Sequence, residues 1–229
     1  NIGNYGVASA AYLGSAGTAS LSYGLGTAVP YIAAAMVADK LLLDGAVSGA
    51  ITKTIGAISG GLFGKSSTSQ ALTDSGLIFA DQLITQAMDD FYGSAYQTIA
   101  TTVKKKSFFG SSSSTSLNTY FTSLDKQINN QFSLVLRNLY DTVYQAGNAL
   151  DVNSKTLDSK LNNFVVSIGK ISLKDKTGTE IQELLTSIFG KIGDDLATSV
   201  VPVITQFQKV GEGSLTALTR VASGMEQAN

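Results

Sequence analysis

The chain has 229 residues, enough for one or two domains, and a formal net charge of −1 from 16 basic and 17 acidic side chains. Whole-chain electrostatics therefore give no reason to expect a nucleic-acid partner. It contains no histidine, cysteine or tryptophan, which removes disulfides, thiol nucleophiles, Cys-ligated metals, the commonest general base and the commonest transition-metal ligand and argues against Ser-His-Asp hydrolases and zinc enzymes.

Opening on Asn1 rather than Met, the chain reads as a piece of a longer one, and its first residues lack the cationic start of a signal peptide. Charge is uneven. Residues 1–64 carry only Asp39, Lys40, Asp44 and Lys53, yet hold 12 of the 23 glycines. Residues 1–27 are a Gly/Ala/Ser-rich segment whose glycines interrupt any regular element. Pro30 suits the first turn of a helix, and residues 28–65 read as an apolar, glycine-rich helical segment with latent membrane activity. Gly45 and Gly49 lie four apart, and Gly56, Gly60 and Gly64 repeat that spacing. Each series makes a bare helical face that admits close approach of another helix. Lys53 counts against a permanent span, since lysine at a bilayer centre costs about 2.5–3.5 kcal/mol on insertion scales.

Residues 76–106 are predicted to form a helix, with Ile84, Ala87, Met88, Phe91, Ala95, Ile99 and Val103 in one stripe. The run "FFGSSSSTS" makes residues 107–116 a serine-rich hinge. Residues 117–150 read as a long amphipathic helix of roughly 50 Å at 1.5 Å per residue. Its stripe begins Leu117, Phe121, Leu124, Ile128, Phe132, Val135, Leu139 and steps by three and four, nearer an 11-residue repeat than a heptad. A long helix with one narrow stripe calls for partners, either a core within the chain or copies of itself. Residues 160–229 read as a small α+β unit. One strand or short hairpin falls near 163–175, Thr179 and Gln182 are spaced as a capping box, another helix starts near Asp194 and is broken at Pro202, and a last helix starts at Ser214. The fold class expected is mainly α: elongated helices joined by Gly/Ser hinges, forming an oligomeric bundle.

No catalytic, cofactor-binding or metal-binding residues are assigned, and no small-molecule substrate is implied. Asp89–Asp90 and Asp194–Asp195 are adjacent carboxylates, which do not face each other on a helix, so they read as solvated or helix-start charge. Lys104, Lys105 and Lys106 are only a weak signal for contact with nucleic acid or lipid headgroups.

The stretch 162–213, with "NFVVSIGKISLKDKTG", "GTEIQE" and "FGKIGDDLA", resembles the C-terminal region of tail tape measure proteins of long-tailed bacteriophages. The upstream helices ending in "GGLFGKSS" are similar to a segment those proteins also carry. The resemblance spans roughly residues 28–226. It implies a structural, non-enzymatic protein in the tail lumen near the tip that sets tail length and leaves ahead of the DNA to help form a passage through the host envelope. Its implied partners are copies of itself, three by the symmetry of the tube, together with the tail tube and tip proteins and the host membrane after release; DNA is met only indirectly. A pore-forming toxin or secretion translocator with a glycine-rich membrane hairpin fits residues 28–64 equally well.

Overall fold

Residues 66–107, 110–124 and 126–226 are described in a computed structural model. The segments 1–27 and 28–65, with Gly45, Gly49, Lys53, Gly56, Gly60 and Gly64, lie outside them. In chain order the elements are β1 (Ser66–Phe79), β2 (Gln82–Leu83), α1 (Ile84–Asp89), β3 (Ser94–Ser107), β4 (Gly110–Ser123), α2 (Lys126–Ala149), α3 (Ser154–Asn162), β5 (Val165–Val166), β6 (Gly169–Ser172), α4 (Gly178–Val200), a 3-10 turn (Pro202–Phe207) and α5 (Ser214–Glu226).

β3 forms where threonine and other β-branched residues are dense, as in "TIATTV", a composition that suits a pleated surface. The main sheet is antiparallel, in the order β4-β3-β1-β6. β3 and β4 make a ladder from Ser94↔Ser123 to Ser107↔Gly110. β1 follows β3 from Ile78↔Ser94 to Ser66↔Lys105, with an irregularity between Leu72 and Asp74. Cross-strand hydroxyl pairs reinforce the β3–β4 ladder: Thr98 with Thr119 at 3.0 Å and Thr102 with Thr115 at 2.9 Å. β6 covers only the end of β1, from Gly76↔Ser172 to Phe79↔Gly169.

Strand alternation sorts the sheet into two faces. Ser75, Leu77 and Phe79 of β1, Ala95, Gln97 and Ile99 of β3 and Ile171 of β6 are buried on one of them. Helices pack behind that face. Phe132 of α2 lies 5.1 Å from Phe79, 5.0 Å from Phe91 and 5.3 Å from Phe189 of α4, measured between ring centroids. Each such aromatic pair contributes about 0.5–1.5 kcal/mol beyond its buried area. Ile128, Leu136, Leu139, Val143 and Ala146 continue the buried side of α2. Ser133 joins α1 to this helix: its Oγ accepts from the Phe91 N–H at 3.0 Å and donates to the Ala87 carbonyl at 2.8 Å.

This mixed α+β architecture corrects the mainly α, elongated fold class. Residues 76–106 hold the end of β1, then β2, α1 and most of β3, not one helix. Helical spacing holds only from Ile84 through Phe91. After Gly93 the chain is extended: Ala95, Gln97 and Ile99 are buried on the helix side and Tyr96 on the opposite face, so a buried polar residue and a second buried face hide the two-residue period from an apolar count. The hinge at 107–116 is the β3–β4 connection and the start of β4. Helix α2 begins at Lys126, so Leu117 and Phe121 belong to a strand and share the helical rhythm by coincidence.

Three smaller corrections follow downstream. The strand signal near 163–175 resolves into β5, paired with β2, and β6, paired with β1, rather than a hairpin. The cap of α4 is Thr177, not Thr179. The Thr177 hydroxyl accepts from the Glu180 N–H, and the Glu180 carboxylate accepts from the Thr177 N–H at 2.7 Å. Both threonines have an acid or amide three residues on. The ionised Glu180 at the first turn is favoured by the helix dipole. From that cap α4 runs unbroken past Asp194 to Val200.

Candidate functional site

The most connected polar cluster lies on the face of the sheet opposite the helices. Asp74 and Gly76 of β1, Tyr96 of β3, and Lys170 and Ser172 of β6 fall on that face by strand register. Asp74 accepts three hydrogen bonds: from the Tyr96 hydroxyl at 3.0 Å, the Lys170 ammonium at 2.8 Å and the Ser172 hydroxyl at 2.6 Å. The Lys170 Nζ also sits 4.3 Å from the centroid of the Tyr96 ring, a cation–π contact. Tyr96 is only 1% exposed. A side chain at Gly76 would overlap the Ile171 carbonyl oxygen, so only glycine lets β6 approach this closely.

The electrostatics of the cluster are one-sided. Burial opposes ionisation of Asp74, but the donors Lys170, Ser172 and Tyr96 outweigh it and hold the carboxyl at about 2. Burial, then the neighbouring Asp74 carboxylate, push the Tyr96 hydroxyl above its ordinary value. The hydrogen bond to Asp74 raises Lys170. Asp74 is thus fixed as the anion, Lys170 as the cation and Tyr96 as the neutral phenol. Such a group pins three strands together, and none of the three is poised near neutral pH to move a proton.

A second pin closes the loop before α5. Glu212 accepts from Arg220 Nε at 2.9 Å and Nη2 at 2.8 Å, and from the Lys209 N–H at 2.8 Å. Arg220, then the Lys209 amide, lower its carboxyl to about 2. Arg220 Nη2 also donates to the Phe207 carbonyl at 2.6 Å. Nearby, Asp194 Oδ1 accepts from the Leu215 N–H at 2.9 Å, tying α4 to the start of α5. A Cβ at Gly213 would stand 2.6 Å from that oxygen.

The stripe residues divide. Leu117 and Phe121 are 66% and 60% exposed on β4. Leu124, Ile128, Phe132, Val135 and Leu139 are buried inside the chain's own core, which is the intramolecular alternative weighed for this stripe. Asp89 pairs with Arg137 at 3.1 Å and Asp195 with Lys191 at 2.5 Å, while Asp194 is the helix tie described above. Lys104, Lys105 and Lys106 are exposed at the far end of β3.

The Asp74 cluster escapes a sequence reading because its members lie 22, 96 and 98 positions apart. The one local signal is "GKIS", where Lys170 and Ser172 share a strand face around the buried Ile171. Among the described residues, no group of three or more His, Cys, Asp or Glu is placed to hold a metal ion, and no helix is long and apolar enough to cross a membrane. Comparison with family models, curated proteins and solved structures finds no match to this chain.

Proposed function

We propose that this chain is a structural, non-enzymatic protein of a long-tailed phage particle, carried in the tail near its tip and released ahead of the genome. The carrying observation is the resemblance over residues 162–213. The cluster chemistry supports the non-enzymatic part of the reading. The two carboxylates held furthest below their ordinary range, Asp74 and Glu212, are saturated by partners from the chain itself. Groups used in this way rigidify the fold, and these two carboxylates are themselves not free to act on a substrate. The partners are then other proteins of the tail, met through exposed surface.

Cross-linking with mass spectrometry on purified particles from a host carrying this gene tests the reading. Peptides of this chain are expected in the particles, cross-linked to tube and tip subunits. Recovery of the chain from the cell fraction alone, with none in particles, overturns it.

A further inference from the structure

An exposed strand edge offers a row of main-chain donors and acceptors that another strand satisfies, and natural proteins guard such edges with charge, proline or a short strand. β4 has none of these guards. It is 14 residues long, "GSSSSTSLNTYFTS", without a charged residue or a proline. Among the described residues it is the outer strand of the sheet, bonded to β3 alone, and every residue is exposed. Three large side chains stand among them: Leu117 at 66%, Tyr120 at 49% and Phe121 at 60% exposure. The cations of this end of the sheet, Lys104 to Lys106, sit on the inner strand β3.

We propose that β4 is a homotypic docking edge, pairing antiparallel with β4 of a second copy about a twofold axis through Thr119. The occupant follows from the strand's own chemistry. A neutral edge meets no like charge when it faces itself, and an antiparallel self-pair is isologous, so each contact is made twice. With Thr119 opposite its own counterpart, Leu117 of each copy faces Phe121 of the other. All four side chains lie on one face by the two-residue period. That register covers the two most exposed apolar side chains of the strand at once. The serine and threonine rows already pair in this way inside the chain, as the Thr98–Thr119 and Thr102–Thr115 bonds record. The proposal does not depend on the tail reading, and its twofold pairing differs from the three copies that the resemblance implies.

The absence of cysteine makes the test direct. Thr119→Cys is introduced into the full chain and oxidised mildly. A disulfide-linked dimer is expected, at least tenfold faster than for Ser113→Cys, which lies on the same strand beyond the proposed ladder. Light scattering of the unmodified chain is expected to give a dimer, and L117K/F121K, at two exposed sites, a folded monomer by circular dichroism. A monomer at every concentration, equal cross-linking at positions 113 and 119, or a stable trimer indifferent to L117K/F121K each overturns the pairing.

Discussion

Asp74 shows how one side chain binds three strands. A carboxyl at about 2 in the folded chain against an ordinary 3.8 corresponds to about 2 kcal/mol of stability once the group is ionised in both states. Its folded value is lowered, so that contribution is complete above about pH 4 and is lost as pH falls toward 2. Asp74→Asn is therefore expected to cost about 2 kcal/mol at pH 7 in urea unfolding, with the difference from the parent shrinking to near zero at pH 2. A penalty that stayed constant through this range would mean that packing, not charge, sets the role of Asp74. Ser133 makes a complementary case without charge. Its hydroxyl serves one buried donor and one buried acceptor, so Ser133→Ala orphans both and is expected to cost about 1–3 kcal/mol at every pH.

At the scale of elements, legibility in the sequence follows the kind of force that decides each one. Helix α2 from Ile128 onward and the first turns of α4 show in apolar spacing, and those faces do pack in the core. The last helix begins at Ser214, where the sequence places it. The strands are harder to see, because a three-four rhythm over a few turns and a two-residue rhythm share many positions. Buried polar residues such as Ser75 and Gln97 occupy core-facing places that an apolar count leaves blank. The serine-rich β4 is the extreme case. Its strand character comes from pairing with β3, a contact between residues up to 29 positions apart, and no local composition encodes it. The same reasoning explains why the Asp74 cluster was invisible: only the register of β1 against β3 and β6 assembles it. Within one copy β4 is held by β3 alone among the described residues, so in dilute, monomeric chain its amides are expected to exchange with deuterium well before those of β1 between Ser75 and Phe79, which lie between β3 and β6 and over the aromatic cluster. Hydrogen exchange with mass spectrometry checks this. Protection of β4 that rises with protein concentration would add to the case for pairing between copies.

For the whole molecule, the titratable groups set a distinctive response to pH. With no histidine, no side chain has an ordinary value between pH 5 and 8. The two most perturbed acids, Asp74 and Glu212, have lowered folded values, so their stabilisation is present above the unfolded values of 3.8 and 4.5 and disappears as pH falls toward 2. On the alkaline side the signs reverse. Lys170 and Tyr96 have raised folded values, so what they contribute is present below the unfolded values of 10.5 and 10.0 and is lost as pH rises beyond them. Asp74 belongs to both limits, because it is the partner of Lys170 and Tyr96. The contribution of these four groups to unfolding free energy is therefore expected to be flat to within about 0.5 kcal/mol between pH 5 and 9 and to fall at both ends. The acid limb should be blunted in Asp74→Asn, and the alkaline limb in Lys170→Met, which removes the cation while keeping an apolar stem over the Tyr96 ring. Urea titrations at intervals of one pH unit check the profile. A sigmoidal step near pH 6–7 that disappears in Asp74→Asn or Lys170→Met would contradict the assignment of Asp74, Lys170 and Tyr96 as a cluster fixed in one protonation state across the neutral range; one that survives both belongs to another group, such as Asp141, whose carboxyl burial raises.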